Sequence, residues 1–121
     1  MYFQKEKIHQ ALINLNNPMT ATEISGNKNG KNEDTFSLVS VSGKSCVVET
    51  LKKAEDENGY IVRLCEMQNM KEEAEITFGF DVRKVYECDC LENNICQLET
   101  DGRSIKLKLN NFEIKTLRVV C

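Results

Sequence analysis

The sequence predicts an all-β domain, an antiparallel β-sandwich of about eight short strands, preceded by a short helix or an extended lead-in. Apolar and polar residues alternate in several short stretches from Thr35 onward, and turn residues separate these stretches at regular intervals. The 121 residues, 40% of them apolar, suit one globular domain. We assign residues 1–34 to a lead-in and loop and 35–121 to the sandwich.

The first segment, residues 5–16, carries apolar residues at helical spacing, but an extended conformation fits it equally. Pro18 ends either structure because it keeps Asn17 out of the α region. Residues 25–34 are rich in Gly and Asn and predict an exposed, flexible loop. They lack the spacing of a phosphate-binding loop. The apolar residues of the helical pattern are Ile8, Ala11, Leu12 and Leu15.

The strands that follow are each justified by alternation and by a turn. The turns lie at 42–43, 55–59, 92–94 and 101–102, and we expect Asn58 and Gly59 to supply the positive φ of a tight hairpin. The predicted strands are residues 36–41, 47–54, 60–66, 73–80, 82–90, 95–98, 104–109 and 112–119.

The inward-facing residues of these strands form the predicted core. In the last strand the apolar phase slips between Ile114 and Leu117, which indicates a β-bulge or a twist that turns the second face inward. The predicted core consists of Phe36, Leu38, Val62, Leu64, Ile76, Phe78, Ile105, Leu107, Ile114 and Leu117.

Charge and hydropathy limit the partners and the location. The net charge is −3 with both signs interspersed, so the chain has no basic stripe for a nucleic acid. It has no apolar run near the length of a membrane helix and no apolar signal region at its start. We therefore expect a cytoplasmic protein that binds neither nucleic acid nor membranes.

Six cysteines suit that compartment as reduced thiols used for packing. Alternation places Cys88 and Cys90 on one face of a strand, and Cys96 follows in a C-x-C-x5-C pattern. A zinc site and disulfide bonds remain the alternatives, although structural zinc sites prefer wider pairs and four ligands.

No catalytic, cofactor-binding or metal-binding residue is assigned. His9 is the single histidine, so a catalytic triad or a catalytic zinc site lacks its ligands. Residues 55–57 (EDE) resemble a carboxylate pair of a glycosidase, but they lie in a hairpin turn, where solvated charge is normal.

Independent sugar binding is also weakly supported. The chain has no tryptophan, and we expect Tyr60 and Tyr86 to be buried because they alternate with core residues. The lysine pairs at 52–53 and at 106 and 108 are expected to be solvated, and lysine on a strand also prevents edge-to-edge association.

The chain resembles a known family in four places, one of which comprises two neighbouring ranges. Residues 49–56 (ETLKKAED), followed by 60–66 (YIVRLCE), are similar to a stretch in the C-terminal β-sandwich region of α-mannosidases of glycoside hydrolase family 38. Residues 112–118 (FEIKTLR) resemble the last strand of that family, and residues 15–18 (LNNP) and 36–41 (FSLVSV) resemble upstream segments. The resemblance covers residues 11 to 120. The chain departs from the family at Asn111, where proline is usual, and at Cys65, where an aromatic residue is common.

The resemblance implies a parent enzyme and a role. Family 38 enzymes are retaining, metal-dependent exo-α-mannosidases whose nucleophile and metal ligands lie in an upstream catalytic domain. The metal expected for the parent is zinc or cobalt, and this chain itself binds none. The chain is then the non-catalytic C-terminal domain, inactive alone, with the catalytic domain, its mannoside substrate and other copies of the chain as partners. The alternative is a free-standing carbohydrate-binding sandwich.

Overall fold

The computed structural model describes residues 5–31 and 35–121. The chain divides into two compact units, Met1–Thr35 and Phe36–Cys121. The first unit contains helix α1 (Lys5–Asn16), which confirms the helical prediction over the extended one. Asn17 donates the last helical hydrogen bond to Ile13, at 2.8 Å. The remainder of that unit is exposed where described, and residues 32–34 of the predicted loop lie outside the described residues.

The second unit contains eight strands, which confirms the predicted fold class. Each observed strand overlaps a predicted one, with shifts at the ends. The strand predicted for 82–90 is the most shortened, because Asp89 and Cys90 belong to the following turn. The strands are β1 (Val39–Ser42), β2 (Cys46–Lys53), β3 (Tyr60–Glu66), β4 (Glu72–Phe78), β5 (Lys84–Cys88), β6 (Asn94–Leu98), β7 (Ser104–Leu109) and β8 (Ile114–Val120).

Two antiparallel sheets make up this unit. The smaller has the order β1-β4-β7 and the larger the order β2-β3-β8-β5-β6. Strand β8 is the centre of the larger sheet, pairing along Tyr60↔Val119 with β3 and along Val85↔Val119 with β5. The strand that is last in sequence therefore joins the β2–β3 hairpin to the β5–β6 hairpin.

The core lies among residues contributed by both sheets. Most of the predicted core is confirmed, including Val62, Leu64 and Phe78, which are at most 1% exposed. Val85, Leu109 and Val119 belong to the core as well. The buried cluster is Cys46, Val62, Leu64, Ala74, Ile76, Phe78, Val82, Val85, Ile105, Leu107, Leu109, Leu117 and Val119.

Three predicted core residues are wrong: Phe36, Leu38 and Ile114 are 54%, 51% and 61% exposed. Around β1 the odd-numbered apolar residues face the core instead of the even-numbered ones: Val39 and Val41 pair with residues of β4 and pack on the core. Leu117 and Val119 likewise set the inward phase of β8 and leave Ile114 on the opposite face.

The two tyrosines were also predicted wrongly. Tyr60 is 44% exposed, and Tyr86 is only half-buried. Tyr60 occupies the first position of β3, where its ring lies 6.1 Å from that of Phe80, centroid to centroid.

Strand β8 has no bulge in its described pairings, so the phase slip is explained by burial on both faces. Leu117 and Val119 face the core, while Thr116 and Arg118 are buried on the other face, at 6% and 5% exposure. The register shifts occur elsewhere, at Glu49 in β2 and at Ile95 in β6.

These bulges fall on edge strands, and the other edges are also protected. Strand β1 has only 4 residues. Strand β7 presents Lys106 and Lys108 on its exposed positions, as predicted. Because bulges, short length and lysine each disfavour pairing with another chain, all four edges resist association.

The β2–β3 turn requires glycine at one position. Gly59 has φ +86°, and a Cβ there would lie 2.4 Å from the Val119 carbonyl oxygen. The positive φ expected of Asn58 belongs instead to Glu57, at 61°. The turn thus packs directly against strand β8.

Candidate functional site

The first polar assembly surrounds Arg118 on the face of the larger sheet that points away from the core. The Arg118 side chain is 6% exposed and donates through Nη1 to Asp56 Oδ1 and Oδ2, at 2.6 and 2.9 Å. Nη1 also reaches the Asn58 carbonyl oxygen and Nη2 the Glu92 carbonyl oxygen, both at 2.8 Å. Arg118 therefore joins the β2–β3 turn to the β5–β6 turn.

Glu92 extends this assembly toward β2. Its carboxylate accepts a hydrogen bond from the Glu55 backbone N–H at 2.9 Å and an ion pair from Lys52 Nζ at 2.8 Å. Lys52 also contacts the Glu55 carboxylate. We call Lys52, Glu55, Asp56, Glu92 and Arg118 the Arg118 cluster.

Shifted pKa values favour the charged forms of Asp56, Glu92 and Arg118. The hydrogen bond from Arg118 lowers the pKa of Asp56, and the same pair raises the pKa of Arg118. The Glu55 N–H and then Lys52 lower the pKa of Glu92. Asp56, Glu92 and Arg118 therefore stay ionised at neutral pH, as structural ion pairs require.

The second assembly surrounds Glu66, at the end of β3 opposite to Tyr60. Glu66 is fully buried, and its carboxylate accepts the Gln68 N–H at 2.8 Å and the Phe112 N–H at 2.7 Å. Burial by itself raises the pKa of Glu66, but the Phe112 and Gln68 N–H groups, then the Ser45 side chain and the Met70 N–H, outweigh it and lower the pKa to about 2. We call Glu66, Gln68, Met70 and Phe112 the Glu66 cluster.

Glu72 shows the same arrangement on a third loop. Its carboxylate accepts the N–H groups of Lys44, Ser45 and Cys46 at 2.5, 3.1 and 3.0 Å. The Ser45 hydroxyl adds a fourth hydrogen bond, at 2.7 Å. Burial opposes the ionised form here too, but these donors lower the pKa of Glu72.

The displaced pKa values of the carboxyl groups in the described residues all move in one direction. Among the described residues, every carboxyl group with a displaced pKa has it lowered, whereas a glycosidase acid requires a raised one. Glu55 and Glu57 are 81% and 80% exposed, which confirms them as solvated turn residues. Asp56 differs from that prediction, because it pairs with the buried Arg118.

A groove of about 540 Å³ lies beside Tyr60. The Tyr60 and Phe80 rings are inclined by 52°, so they do not form one flat platform. Lys53, 62% exposed, pairs with Glu57 at 3.4 Å, whereas Lys52 is engaged in the Arg118 cluster. The lining residues are Leu38, Leu51, Lys52, Lys53, Tyr60, Phe80 and Cys121.

The cysteines do not converge. All six are free thiols. Cys96 pairs with Glu87, the neighbour of Cys88, so Cys88 and Cys96 lie on opposite faces of the sheet. Cys90 lies in the turn rather than on the predicted strand face. Burial raises the pKa of Cys88 and raises that of Cys46 to about 11.

Within residues 5–31 and 35–121, no three His, Cys, Asp or Glu side chains are placed to hold a metal ion. His9 is half-buried on α1. The described helix is too short and too polar to cross a membrane.

Sequence reasoning missed Arg118, Glu66 and Glu92 as structural residues. Their positions are the one indication in the sequence: Arg118 and Glu66 lie within predicted strands, where a charged residue can be buried. Most of their partners lie in distant turns, at separations of up to 62 residues, which no local pattern reveals.

Comparisons with known proteins agree with this architecture. A family model described as the glycosyl hydrolases family 38 C-terminal beta sandwich domain matches residues 45–117. The mouse protein alpha-mannosidase 2C1 (Mus musculus) is 28% identical over 123 residues, covering 98% of this chain. The chain spans 12% of the length of that relative.

Proposed function

This chain belongs to the family of C-terminal β-sandwich domains of family 38 glycosyl hydrolases, and we propose that it supports the catalytic domain of an α-mannosidase and helps to shape its cleft. The match over residues 45–117 carries this proposal. The polar clusters agree with it, because their charged groups are engaged with backbone and side-chain partners of the same domain.

The proposed parent enzyme removes terminal α-D-mannosyl residues with retention of configuration. Its nucleophile and its zinc or cobalt ligands would lie in an upstream catalytic domain, which is the proposed main partner and the domain that meets the mannoside. The chain covers only 12% of the mouse relative, which supports a parent enzyme whose catalytic residues lie in a separate domain. We also propose a cytoplasmic location in mannose metabolism, which the six free thiols support.

The purified chain should be inactive by itself. We expect no release of nitrophenol from 4-nitrophenyl α-mannoside with added zinc or cobalt beyond that of the metal alone. Circular dichroism confirms that the assayed chain is folded. Metal-dependent turnover by the purified chain would contradict the proposal.

A carbohydrate-binding module is the second candidate, because Tyr60 and Phe80 form a partly exposed aromatic pair beside a groove. Calorimetric titration with mannose and mannobiose separates the two functions. Saturable millimolar or tighter binding that Tyr60→Ala abolishes would favour the module. We expect no heat of binding.

A further inference from the structure

Three large apolar side chains are exposed at the Glu66 end of the sandwich. Phe112 is 62% exposed, Ile114 61% and Met70 45%. The Phe112 N–H donates to the Glu66 carboxylate at 2.7 Å, and the Met70 N–H contributes to the lowered pKa of the same carboxylate, so both backbones lie close to Glu66. We call Met70, Phe112 and Ile114 the Phe112 patch.

The backbone that presents Phe112 is unusual. Phe112 has φ 53°, a left-handed conformation that residues with large side chains rarely adopt. The neighbouring loop contains a second such residue, Asn69 at φ 61°. Asn111 Nδ2 joins the loops by donating to the Asn69 carbonyl oxygen at 2.7 Å and to Asn69 Oδ1 at 3.0 Å.

The loop is therefore fixed by many contacts. The buried Glu66 carboxylate holds the Phe112 N–H at 2.7 Å. Glu113 accepts the Asn110 N–H at 2.6 Å and the Asn110 side-chain N–H at 3.1 Å. These contacts hold an unfavourable backbone conformation, yet its aromatic ring remains mostly in water.

Within the domain the Phe112 ring buries little apolar surface, so it does not offset the unfavourable backbone conformation of this residue. Glycine would adopt the same φ without strain, and asparagine would tolerate it. A rigid, preorganised aromatic side chain is instead the typical anchor of a protein interface, because little conformational entropy is lost on binding.

We infer that the Phe112 patch inserts into an apolar socket on the catalytic portion of the same α-mannosidase polypeptide. The inference rests on the proposed function and adds the contact surface to it. The chain spans 12% of the mouse relative, so most of an enzyme of that length lies outside the described residues and can supply the socket. The patch carries no charge, which suits an apolar socket, whereas the Tyr60 groove is rimmed by two lysines.

Hydroxyl-radical footprinting tests this contact without mutation. Met70 and Phe112 should be oxidised in the isolated chain, and in the complete polypeptide their oxidation should fall on the order of tenfold, as expected for the buried centre of an interface. Tyr60, at the other end of β3 and 44% exposed, is the internal reference. Equal oxidation of Met70 and Phe112 in both samples would overturn the inference.

Phe112→Gly gives a second readout. In the isolated chain we expect an unchanged or raised melting temperature, because glycine relieves the left-handed strain. In the complete polypeptide we expect a lowered melting temperature of the transition that includes this domain. Phe112→Asn should behave alike. Leu91→Asn, which alters an apolar side chain of another turn that is 78% exposed, should leave both samples unchanged.

The outcomes separate the inference from the proposed function. Metal-dependent turnover by the isolated chain would contradict the proposed function. If the isolated chain is inactive but Phe112 is not protected in the complete polypeptide, only the inference about the contact surface is contradicted. Concentration-dependent protection of Phe112 in the isolated chain, with a dimer by light scattering, assigns the patch to a second copy and also overturns it. A lowered melting temperature of the isolated Phe112→Gly chain would show a role within the domain and count against the inference.

Discussion

The two ends of strand β8 bury charges of opposite sign by different means. At one end Glu66, fully buried, is held by neutral backbone N–H groups. At the other end Arg118, 5% exposed, is held by one carboxylate and two carbonyl oxygens. The anion is thus stabilised by dipoles and the cation partly by an ion pair.

This difference predicts how the stability of each end responds to pH and to salt. The Glu66 carboxylate is held by neutral N–H donors, so its stabilisation requires that Glu66 be ionised and therefore depends on pH, but it involves no second charge and depends little on salt. The Arg118–Asp56 pair opens to solvent at Asp56, which is 57% exposed, so salt should weaken it. At both ends a buried charged side chain holds a turn that is distant in sequence: Glu66 holds the turn before β8, and Arg118 holds the β2–β3 and β5–β6 turns.

Arg118→Met should show the largest effect. The substitution keeps much of the side-chain volume but leaves the Glu92 and Asn58 carbonyl oxygens without their donor. We expect a loss of about 3 kcal/mol in the free energy of unfolding, because each buried acceptor left without its donor costs about 1–3 kcal/mol. Urea denaturation measures it.

Arg103→Met is the matched control. Arg103 and Asp81 form an ion pair whose side chains are 69% and 86% exposed. Exposed pairs contribute about 0–1 kcal/mol, so the control should change little. Equal losses in Arg103→Met and Arg118→Met would remove the distinction between a buried and an exposed arginine.

Glu66→Gln should rank second. The amide keeps one acceptor oxygen but turns an NH2 group toward N–H donors, so at least one of the Phe112 and Gln68 hydrogen bonds is lost. We expect a melting temperature several degrees lower at neutral pH, measured by calorimetry. Glu73→Gln, 59% exposed, is the matched control and should melt like the original chain.

The dependence of stability on pH below neutral gives a second test of Glu66. The pKa of Glu66 is about 2 in the folded chain and near its ordinary value of about 4.5 when unfolded. The stabilisation it provides is therefore complete above about pH 4.5 and is lost as the pH falls toward 2. The difference in melting temperature between the original chain and Glu66→Gln should shrink over that interval. A constant difference from neutral pH down to pH 2 would contradict this assignment.

Asp56→Asn should have the smallest effect. Asparagine can still accept from Arg118, which also keeps both carbonyl partners. The original chain should exceed Asp56→Asn in stability at low salt, and the gap should narrow at 1 M NaCl, where the Debye length is about 3 Å. Asp81→Asn serves as the control. A gap that does not depend on salt would indicate a hydrogen-bonding role alone.

The sequence predicts the strands because local alternation and turn chemistry determine them. Seven of the ten predicted core residues are buried, and Phe36, Leu38 and Ile114 fail because each lies where two apolar phases compete. The choice between phases depends on the partner strand. In β1 that partner is β4, which follows more than 30 residues later.

The polar clusters are less predictable because they also depend on partners that are distant in the sequence. The resemblance to the family marks residues 49–56 and 112–118 but does not predict that the two segments interact. In the structure Asp56 and Arg118 form an ion pair across 62 residues. Periodicity alone treats both as surface charges, and only the fold of the two turns over the sheet brings them together.

The central position of β8 has a consequence for synthesis. The ribosome delivers β8 after the seven other strands, yet β8 separates β3 from β5 in the larger sheet. Until it emerges, the β2–β3 and β5–β6 hairpins lack the strand that pairs with both of them. A nascent chain halted before residue 114 therefore presents unpaired strands to chaperones and proteases, and the domain becomes resistant to them only when its final strand is released.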